Sequence, residues 1–241
     1  MKRLRSRGGP FEEQFFFEPE EIDEMCGEAL LQSGYLPSSP QPVKIERFIE
    51  KHFKCLTGYD DLPPRVLGCT QFNKDGSIKA VTVSRSLDDG TEAGRRRERS
   101  TWSHEGGHCL LHPSLFMSSN TQQGLNFGGT PSDSAIFKDN RILCRDNDIR
   151  PGEGRKQYDG RWWEWQANRA IGGFLLPKEL VKQVVSPFVD RSTLTKSPSL
   201  SPASRQKAEK EIAEIFDVNP VVARIRIQEF FPERPDAQFE F

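Results

Sequence analysis

The chain lacks the features that would place it in a membrane or on nucleic acid. Its 241 residues contain no apolar run near the ~20 residues that a membrane-spanning helix needs. The five cysteines are odd in number and none has CxxC spacing, which argues against a disulfide framework and a zinc knuckle. Excess charge is also absent, because 34 Lys and Arg nearly cancel 35 Asp and Glu. These absences exclude a coat for nucleic acid and a disordered polyelectrolyte, and favour a soluble, cytoplasmic protein with reduced thiols.

The composition divides the chain into one folded region with polar appendages. Stretches rich in Ser, Asn, Gln and Gly without periodicity predict loops, and clustered prolines predict a linker. The folded region combines helical periodicity with a β-hairpin, which indicates the α+β class with a small antiparallel β-sheet. The predicted segments are a disordered tail over 1–18, a domain over 19–185 with a loop insertion at 113–141, a Ser/Pro-rich linker over 186–204, a helix-turn-helix-like pair over 205–232 and a tail over 233–241.

Apolar spacing and turn residues locate the secondary structure. Strands are predicted over 66–72 and 78–84, joined by a turn in which Asp75-Gly76 supplies the positive φ angles of a tight hairpin. Asp89 and Glu92 resemble a capping box at the start of a long helix, and Asn219 is the expected cap of the last helix. The predicted helices cover about 22–31, 43–53, 91–111, 161–176, 178–185, 205–216 and 220–230.

The long helix over 91–111 carries the motif HExxH. Residues four apart lie on one helical face, so His104 and His108 can both direct an imidazole nitrogen at one metal ion. Glu105 is displaced by about 100° around the helix, where it can reach a metal-bound water rather than the metal. The spacing therefore predicts two metal ligands and one general base.

A catalytic zinc ion usually has three protein ligands and a water, so the motif needs a further donor. His112 lies on the same face, but it precedes Pro113, which ends the helix, and the chain lacks the metzincin histidine at 114. Glu164, on the next predicted helix, is the better donor. Asn168 lies one turn further along that helix, and we expect it and His112 to support the ligands from behind.

The two segments together resemble a known family. The sequence HEGGHCLLH (104–112), followed by EWQANRAIGGFLLP (164–177), is similar to the paired motifs of the ImmA/IrrE metallopeptidases. Flanking similarity includes PVKIERFIE (42–50) and AEIFDVNPVVARIR (213–226), so the resemblance covers roughly 20–114 and 140–232. The chain departs from the family pattern at Gly106, at Gln166, in lacking Met before Pro177 and in the insertion at 113–141.

The resemblance implies a zincin-like metallopeptidase core. Carried over by position, His104, His108 and Glu164 would bind Zn²⁺ and Glu105 would be the general base. The family's activity implies a protein substrate, namely a helix-turn-helix repressor whose cleavage relieves repression. We expect the strand over 78–84 to lie beside the cleft and offer its backbone to an extended peptide.

The helix contains two consecutive glycines inside the motif. Gly106 and Gly107 each cost about 1 kcal/mol of helix propensity. Such glycines are tolerated where another element approaches closely, and we expect Trp162, Trp163 or Trp165 to occupy that space.

The sequence is also compatible with two other functional hypotheses. A regulatory module could keep the zinc fold and act on DNA or a repressor through the terminal helices, with Arg224 and Arg226 as candidate contacts. A third hypothesis is a zinc hydrolase of a smaller amide. Cys144 is a candidate inhibitory thiolate over the zinc, and the arginine-rich run 95–99 has the composition of a solvated helix face.

Overall fold

The computed structural model describes residues 2–5, 13–117, 140–149, 161–189 and 199–232. Parts of the predicted segments lie outside the described residues: 1 and 6–12 of the N-terminal tail, 118–139 of the loop insertion, 150–160 of the domain, 190–198 of the linker and the tail at 233–241. The α+β class is confirmed, with helices packed around a small mixed sheet.

Most of the helices and strands lie close to the bounds predicted from the sequence. The helices are α1 (Pro19–Gln32), α2 (Ile45–Phe53), α3 (Glu92–Leu111), α4 (Ser114–Met117), α5 (Trp162–Leu175), α6 (Lys178–Val185), α7 (Pro202–Phe216) and α8 (Pro220–Phe230). The strands are β1 (Lys2–Arg5), β2 (Glu13–Phe16), β3 (Leu56–Asp60), β4 (Val66–Phe72), β5 (Ile78–Ser84) and β6 (Arg141–Arg145).

Four strands form the main sheet in the order β3-β5-β4-β6. The hairpin β4–β5 is confirmed with its predicted bounds, and Gly76 adopts the left-handed conformation that the turn requires, with φ of 82°. β3 was not predicted from the sequence. Because it pairs parallel to β5, the sheet is mixed, and the expectation of an antiparallel sheet is wrong. β6 pairs antiparallel to the other side of β4.

The N-cap of the long helix α3 lies two residues after the predicted one, Asp89. Thr91 is the N-cap, and its hydroxyl accepts a hydrogen bond from Gly94 N at 2.9 Å. Asp89 instead accepts hydrogen bonds from the backbone and hydroxyl of Thr91, so the Asp89–Glu92 box is wrong. The helix ends at Leu111, before Pro113, as predicted.

α3 and α5 pack against each other along the HExxH motif. The two glycines of the motif allow close approach because they carry no Cβ. A Cβ placed on Gly107 would lie 2.8 Å from the Ala170 Cβ and 3.0 Å from the Ala167 Cα. A Cβ on Gly106 would meet the end of the Ile49 side chain at 3.3 Å. The expected filling by tryptophans is wrong, because small residues of α5 let the two backbones approach.

The predicted disordered tail contains ordered backbone. β1 and β2 form an antiparallel pair in which Arg5 is opposite Glu13. Phe17 is buried in the core, and the Phe15 carbonyl accepts a hydrogen bond from Gln166 Nε2 at 2.6 Å. The end of the tail is therefore anchored to α5, a tertiary contact that composition does not reveal.

Both ends of the predicted loop insertion are also structured. α4 follows Pro113 directly, and its Phe116 ring stacks on Phe72 of β4 with centroids 4.1 Å apart. At the other end, Arg141 is the first residue of β6. An aromatic contact and a strand pairing, both non-local, shorten the loop.

The linker also ends earlier than predicted. Its last residues start α7 at Pro202, with Ser201 as the N-cap accepting from Ser204 N at 3.1 Å. At α8, Asn219 caps the helix and Pro220 is its first residue, as predicted.

The arginine-rich run of α3 is not a simple solvated face. Arg95 and Arg96 bind the Asp217 carboxylate in the turn between α7 and α8. Arg99 donates to the backbone carbonyls of Asp217 and Phe216 at 3.0 and 3.3 Å. These contacts fasten the terminal helical pair to the motif helix.

Arg226 of α8 is unavailable to an external partner. Its side chain is 2% exposed and its Nη1 donates to Asp23 Oδ1 at 2.8 Å and to Glu229 Oε2 at 3.0 Å. Its Nε donates to the Leu176 carbonyl at 3.1 Å. The candidate DNA contact at Arg226 is therefore wrong, whereas Arg224 is exposed.

Among the described residues, no helix combines the length and the apolar character that crossing a bilayer demands.

The two adjacent glycines provide a matched test of the close approach. Gly107→Ala should lower the free energy of unfolding by about 1–3 kcal/mol, because the new methyl group meets the α5 backbone. Gly106→Ala should stay within about 1 kcal/mol of the original protein, because Ile49 can shift and helix propensity improves. Urea unfolding measures both, and equal destabilisation by the two variants would contradict this packing.

Candidate metal centre

Three predicted ligands converge between α3 and α5. His104 Nε2 lies 3.1 Å from Glu164 Oε2 and 3.1 Å from His108 Nε2, and His108 Nε2 lies 3.7 Å from Glu164 Oε2. Both imidazoles are fully buried and Glu164 is 5% exposed. Four-coordinate zinc with ligands at about 2.0–2.1 Å separates its ligand atoms by about 3.3 Å. These three side chains could therefore hold a metal ion without rearrangement.

A chain of hydrogen bonds behind His108 sets its tautomer. Gln166 donates through Nε2 to the Phe15 carbonyl, so its Oε1 accepts from His112 Nε2 at 3.0 Å. His112 Nδ1 then carries a lone pair and accepts from His108 Nδ1 at 2.9 Å. His108 Nε2 is left with a lone pair on the side of His104 and Glu164. His112 thus supports a candidate ligand from behind, at the position predicted for it.

Asn168 sets the tautomer of His104 in the same way. Its Nδ2 donates to the Asp148 carbonyl at 2.6 Å, so its Oδ1 accepts from His104 Nδ1 at 3.1 Å. His104 Nε2 therefore carries the lone pair that faces the other two donors. In histidines that bind metals, the ring nitrogen that does not face the metal generally donates to such a partner.

The pKa shifts of the three donor side chains fit a site that binds a cation. Burial lowers the pKa of His108, and it lowers the pKa of His112 to about 3. Burial raises the pKa of the Glu164 carboxyl, but the imidazoles of His108 and His104 outweigh burial and hold that pKa below its ordinary value. Glu164 in turn raises the pKa of His104 against the effect of burial. A divalent cation between them would interact favourably with all three donor atoms.

Glu105 lies beside these donors under strand β4. Thr70 donates its hydroxyl to Glu105 Oε2 at 2.5 Å, and Glu105 Oε1 is buried without a hydrogen-bond partner. A Cβ on Gly68 would lie 2.4 Å from that Oε1, so only glycine lets the strand pass. Burial raises the pKa of the Glu105 carboxyl to about 8. The arrangement leaves one carboxylate oxygen for a ligand or a water that lies beside it.

Four residues of this site were not predicted from the sequence. Thr70 and Gly68 contact Glu105, Gln166 orients His112 and the Asp148 carbonyl orients Asn168. The alternation of β4 puts Gly68 and Thr70 on one face, and this small-x-polar pattern is the signal that could have indicated them.

The predicted substrate strand is wrong. β5 (Ile78–Ser84) lies between β3 and β4, so both of its edges are already hydrogen-bonded within the sheet. β4 is the strand that contacts Glu105, and its far edge is covered by β6. A peptide cannot pair with β5 in this structure.

Comparison with protein-family models gave no match, and neither did a search of the curated proteins. The resemblance to the ImmA/IrrE family therefore stays a prediction that rests on the sequence motifs.

Asn168 offers a test of how the centre is held. We expect Asn168→Ala to weaken Zn²⁺ binding by roughly 10–100-fold, because His104 loses the partner that fixes its ring. Competition with a chromophoric chelator measures the affinity. Asn73→Ala removes an exposed turn amide and should leave the affinity unchanged. Equal affinities for all three proteins would show that Asn168 does not position His104.

Proposed function

We propose that the protein is a zinc-dependent endopeptidase with a zincin-like core that cleaves a DNA-binding repressor in the cytoplasm. The observation that carries this proposal is the donor set, in which two imidazole lone pairs and one carboxylate oxygen face a common point. A carboxylate with a free oxygen, Glu105, lies beside that set without belonging to it. This combination is typical of a metallopeptidase that activates water.

The division of labour follows from the contacts. His104, His108 and Glu164 would hold zinc, which when bound lowers the pKa of a coordinated water and polarises the scissile carbonyl. Glu105 would accept the proton of the attacking water at Oε1 and return it to the departing amine. Thr70 holds Oε2, so the carboxylate keeps one orientation throughout.

The substrate class rests on the resemblance. A helix-turn-helix repressor would supply an exposed peptide segment, and the near-neutral net charge gives no electrostatic reason to expect nucleic acid as the partner. The alternative, a regulatory module acting through the terminal helices, loses one of its two candidate contacts because Arg226 is buried. Those helices instead pack on α3 through Arg99 and its neighbours.

The first test separates metal binding from chemistry. Glu105→Gln should still bind about one zinc ion but lose cleavage of a helix-turn-helix regulator encoded next to this chain, by at least about 100-fold. Glu92→Gln makes the same change on an exposed turn of the same helix and should cleave normally. Wild-type cleavage should also disappear with a chelator.

Either of two results would count against the proposal. Normal cleavage by Glu105→Gln would contradict the role of Glu105 as the general base. The regulatory module would be favoured instead if the protein binds a DNA duplex, if Glu105→Gln keeps that binding and if Arg224→Ala weakens it.

Thr70 gives a second test of the same site. Thr70→Val should reduce kcat by roughly 10-fold, because a buried carboxylate oxygen that loses its donor costs about 1–3 kcal/mol and the side chain reorients. Thr70→Ser keeps the hydroxyl and should recover most of the rate. Cleavage kinetics at equal zinc content measure the effect, and a valine variant as fast as the serine variant would contradict it.

A further inference from the structure

The N-terminal segment reaches the candidate metal centre through a backbone carbonyl. The Phe15 carbonyl oxygen accepts a hydrogen bond from Gln166 Nε2 at 2.6 Å, although the two residues are 151 positions apart. Gln166 is 1% exposed, so its amide takes its hydrogen-bond partners from the protein. The orientation of this buried amide therefore depends on whether residue 15 is in place.

That orientation decides the direction of the hydrogen bonds from Gln166 through His112 to His108, here called the His108 relay. As described, Gln166 Oε1 accepts from His112 Nε2 at 3.0 Å, and His112 Nδ1 accepts from His108 Nδ1 at 2.9 Å. His108 Nε2 then carries a lone pair. If the amide turned over, Gln166 Nε2 would donate to His112 and both bonds of the relay would reverse. His108 Nε2 would then carry a hydrogen atom on the side where a metal is expected.

The reversed relay gains a hydrogen bond in the metal-free protein. His108 Nε2 and His104 Nε2 are 3.1 Å apart, which is a hydrogen-bonding distance. Asn168 holds the hydrogen atom of a neutral His104 on Nδ1, so His104 Nε2 can accept but not donate. A hydrogen atom on His108 Nε2 would complete this bond. The reversed relay therefore suits the metal-free centre, and the described relay suits a centre that binds a metal.

The two branches behind the ligands end in parts of the fold that differ in stability. Asn168 donates to the Asp148 carbonyl, and the Asp148 side chain is held by Arg145 N, at the end of a strand of the main sheet. The His108 relay ends at β2, which pairs with β1 in a separate two-stranded sheet. A two-stranded pair is only marginally stable, so the end at Phe15 can open without unfolding of the core.

We infer that Gln166 is a positioning residue for the ligand His108, and that docking of the N-terminal segment at the Phe15 carbonyl sets its amide. With the segment docked, His108 presents a lone pair to the metal. With the segment released, each imidazole of the relay moves its one hydrogen atom to its other nitrogen, and no net charge changes. This inference rests on the proposed function, because it requires the same metal centre.

The tautomers of the metal-free chain test the inference directly. Long-range proton–nitrogen correlation NMR should place hydrogen on His108 Nδ1 and His112 Nε2 in the unsubstituted protein. Phe17→Ala removes the buried side chain that holds the segment two residues after Phe15. This variant should shift both rings towards the opposite tautomer and weaken Zn²⁺ binding by roughly 10-fold, about the effect of one buried hydrogen bond.

Gln166→Glu provides the rescue that a purely structural effect would not show. A carboxylate has two acceptor oxygens, so residue 166 would accept from His112 whichever way it turns. Adding Gln166→Glu to Phe17→Ala should therefore restore the tautomers and the zinc affinity. A loss of affinity that persists in the double variant would contradict the relay.

Hydrogen exchange tests the same coupling without a substitution. Linkage is reciprocal, so Zn²⁺ should slow amide exchange of residues 13–17 by the same factor by which docking strengthens zinc binding. β3 is the matched control, because it also lies at the edge of its sheet and its Tyr59 side chain bonds to Glu46 and Glu98, away from the centre. Exchange in β3 should not change.

The outcomes separate this inference from the proposed function. Normal zinc binding with no effect of Zn²⁺ on exchange of residues 13–17 would overturn the control by the N-terminal segment and leave the metal centre intact. Hydrogen on His108 Nε2 in the unsubstituted metal-free chain would do the same. No zinc binding at all would overturn both. The exchange measurement decides alone if Phe17→Ala does not fold.

Discussion

The close approach of α3 and α5 at Gly107 is the constraint on which the site depends. Glu164 reaches the two histidines because no Cβ separates Gly107 from Ala167 and Ala170. A larger residue at that point would push α5 outward and lengthen the distances from Glu164 to His104 and to His108, which both lie on α3. The helix propensity lost at Gly107 therefore goes with the close packing that brings the three candidate ligands together, which an alanine would distort.

The polar residues around the candidate metal centre form two chains of hydrogen bonds, and each chain ends at a backbone carbonyl. One branch runs from His108 through His112 and Gln166 to a carbonyl of the N-terminal strand pair, and the other runs from His104 through Asn168 to the Asp148 carbonyl. Each ring is thus fixed before a metal arrives. A preorganised site of this kind loses less conformational entropy on binding.

The parts of the structure that the sequence predicted are those fixed by local chemistry. The hairpin turn at Gly76 and the helix stop before Pro113 depend on neighbouring residues, and the spacing of HExxH depends on one helix. β3 was missed because its side chains are mostly exposed, Leu56 at 74%, and because it pairs with a distant parallel strand. Thr70 could not be assigned for a similar reason, since its contact with Glu105 spans 35 positions and is created by the fold.

The buried guanidinium of Arg226 also has a consequence for the order of folding. Its partner Asp23 is 203 positions earlier in the chain, and its third contact is the carbonyl of Leu176, at the end of the helix that carries Glu164. Such long sequence separation places this contact late in folding. A ribosome must release the chain as far as Arg226 before the contact can form. The nascent protein therefore cannot complete this part of its core until α8 has emerged.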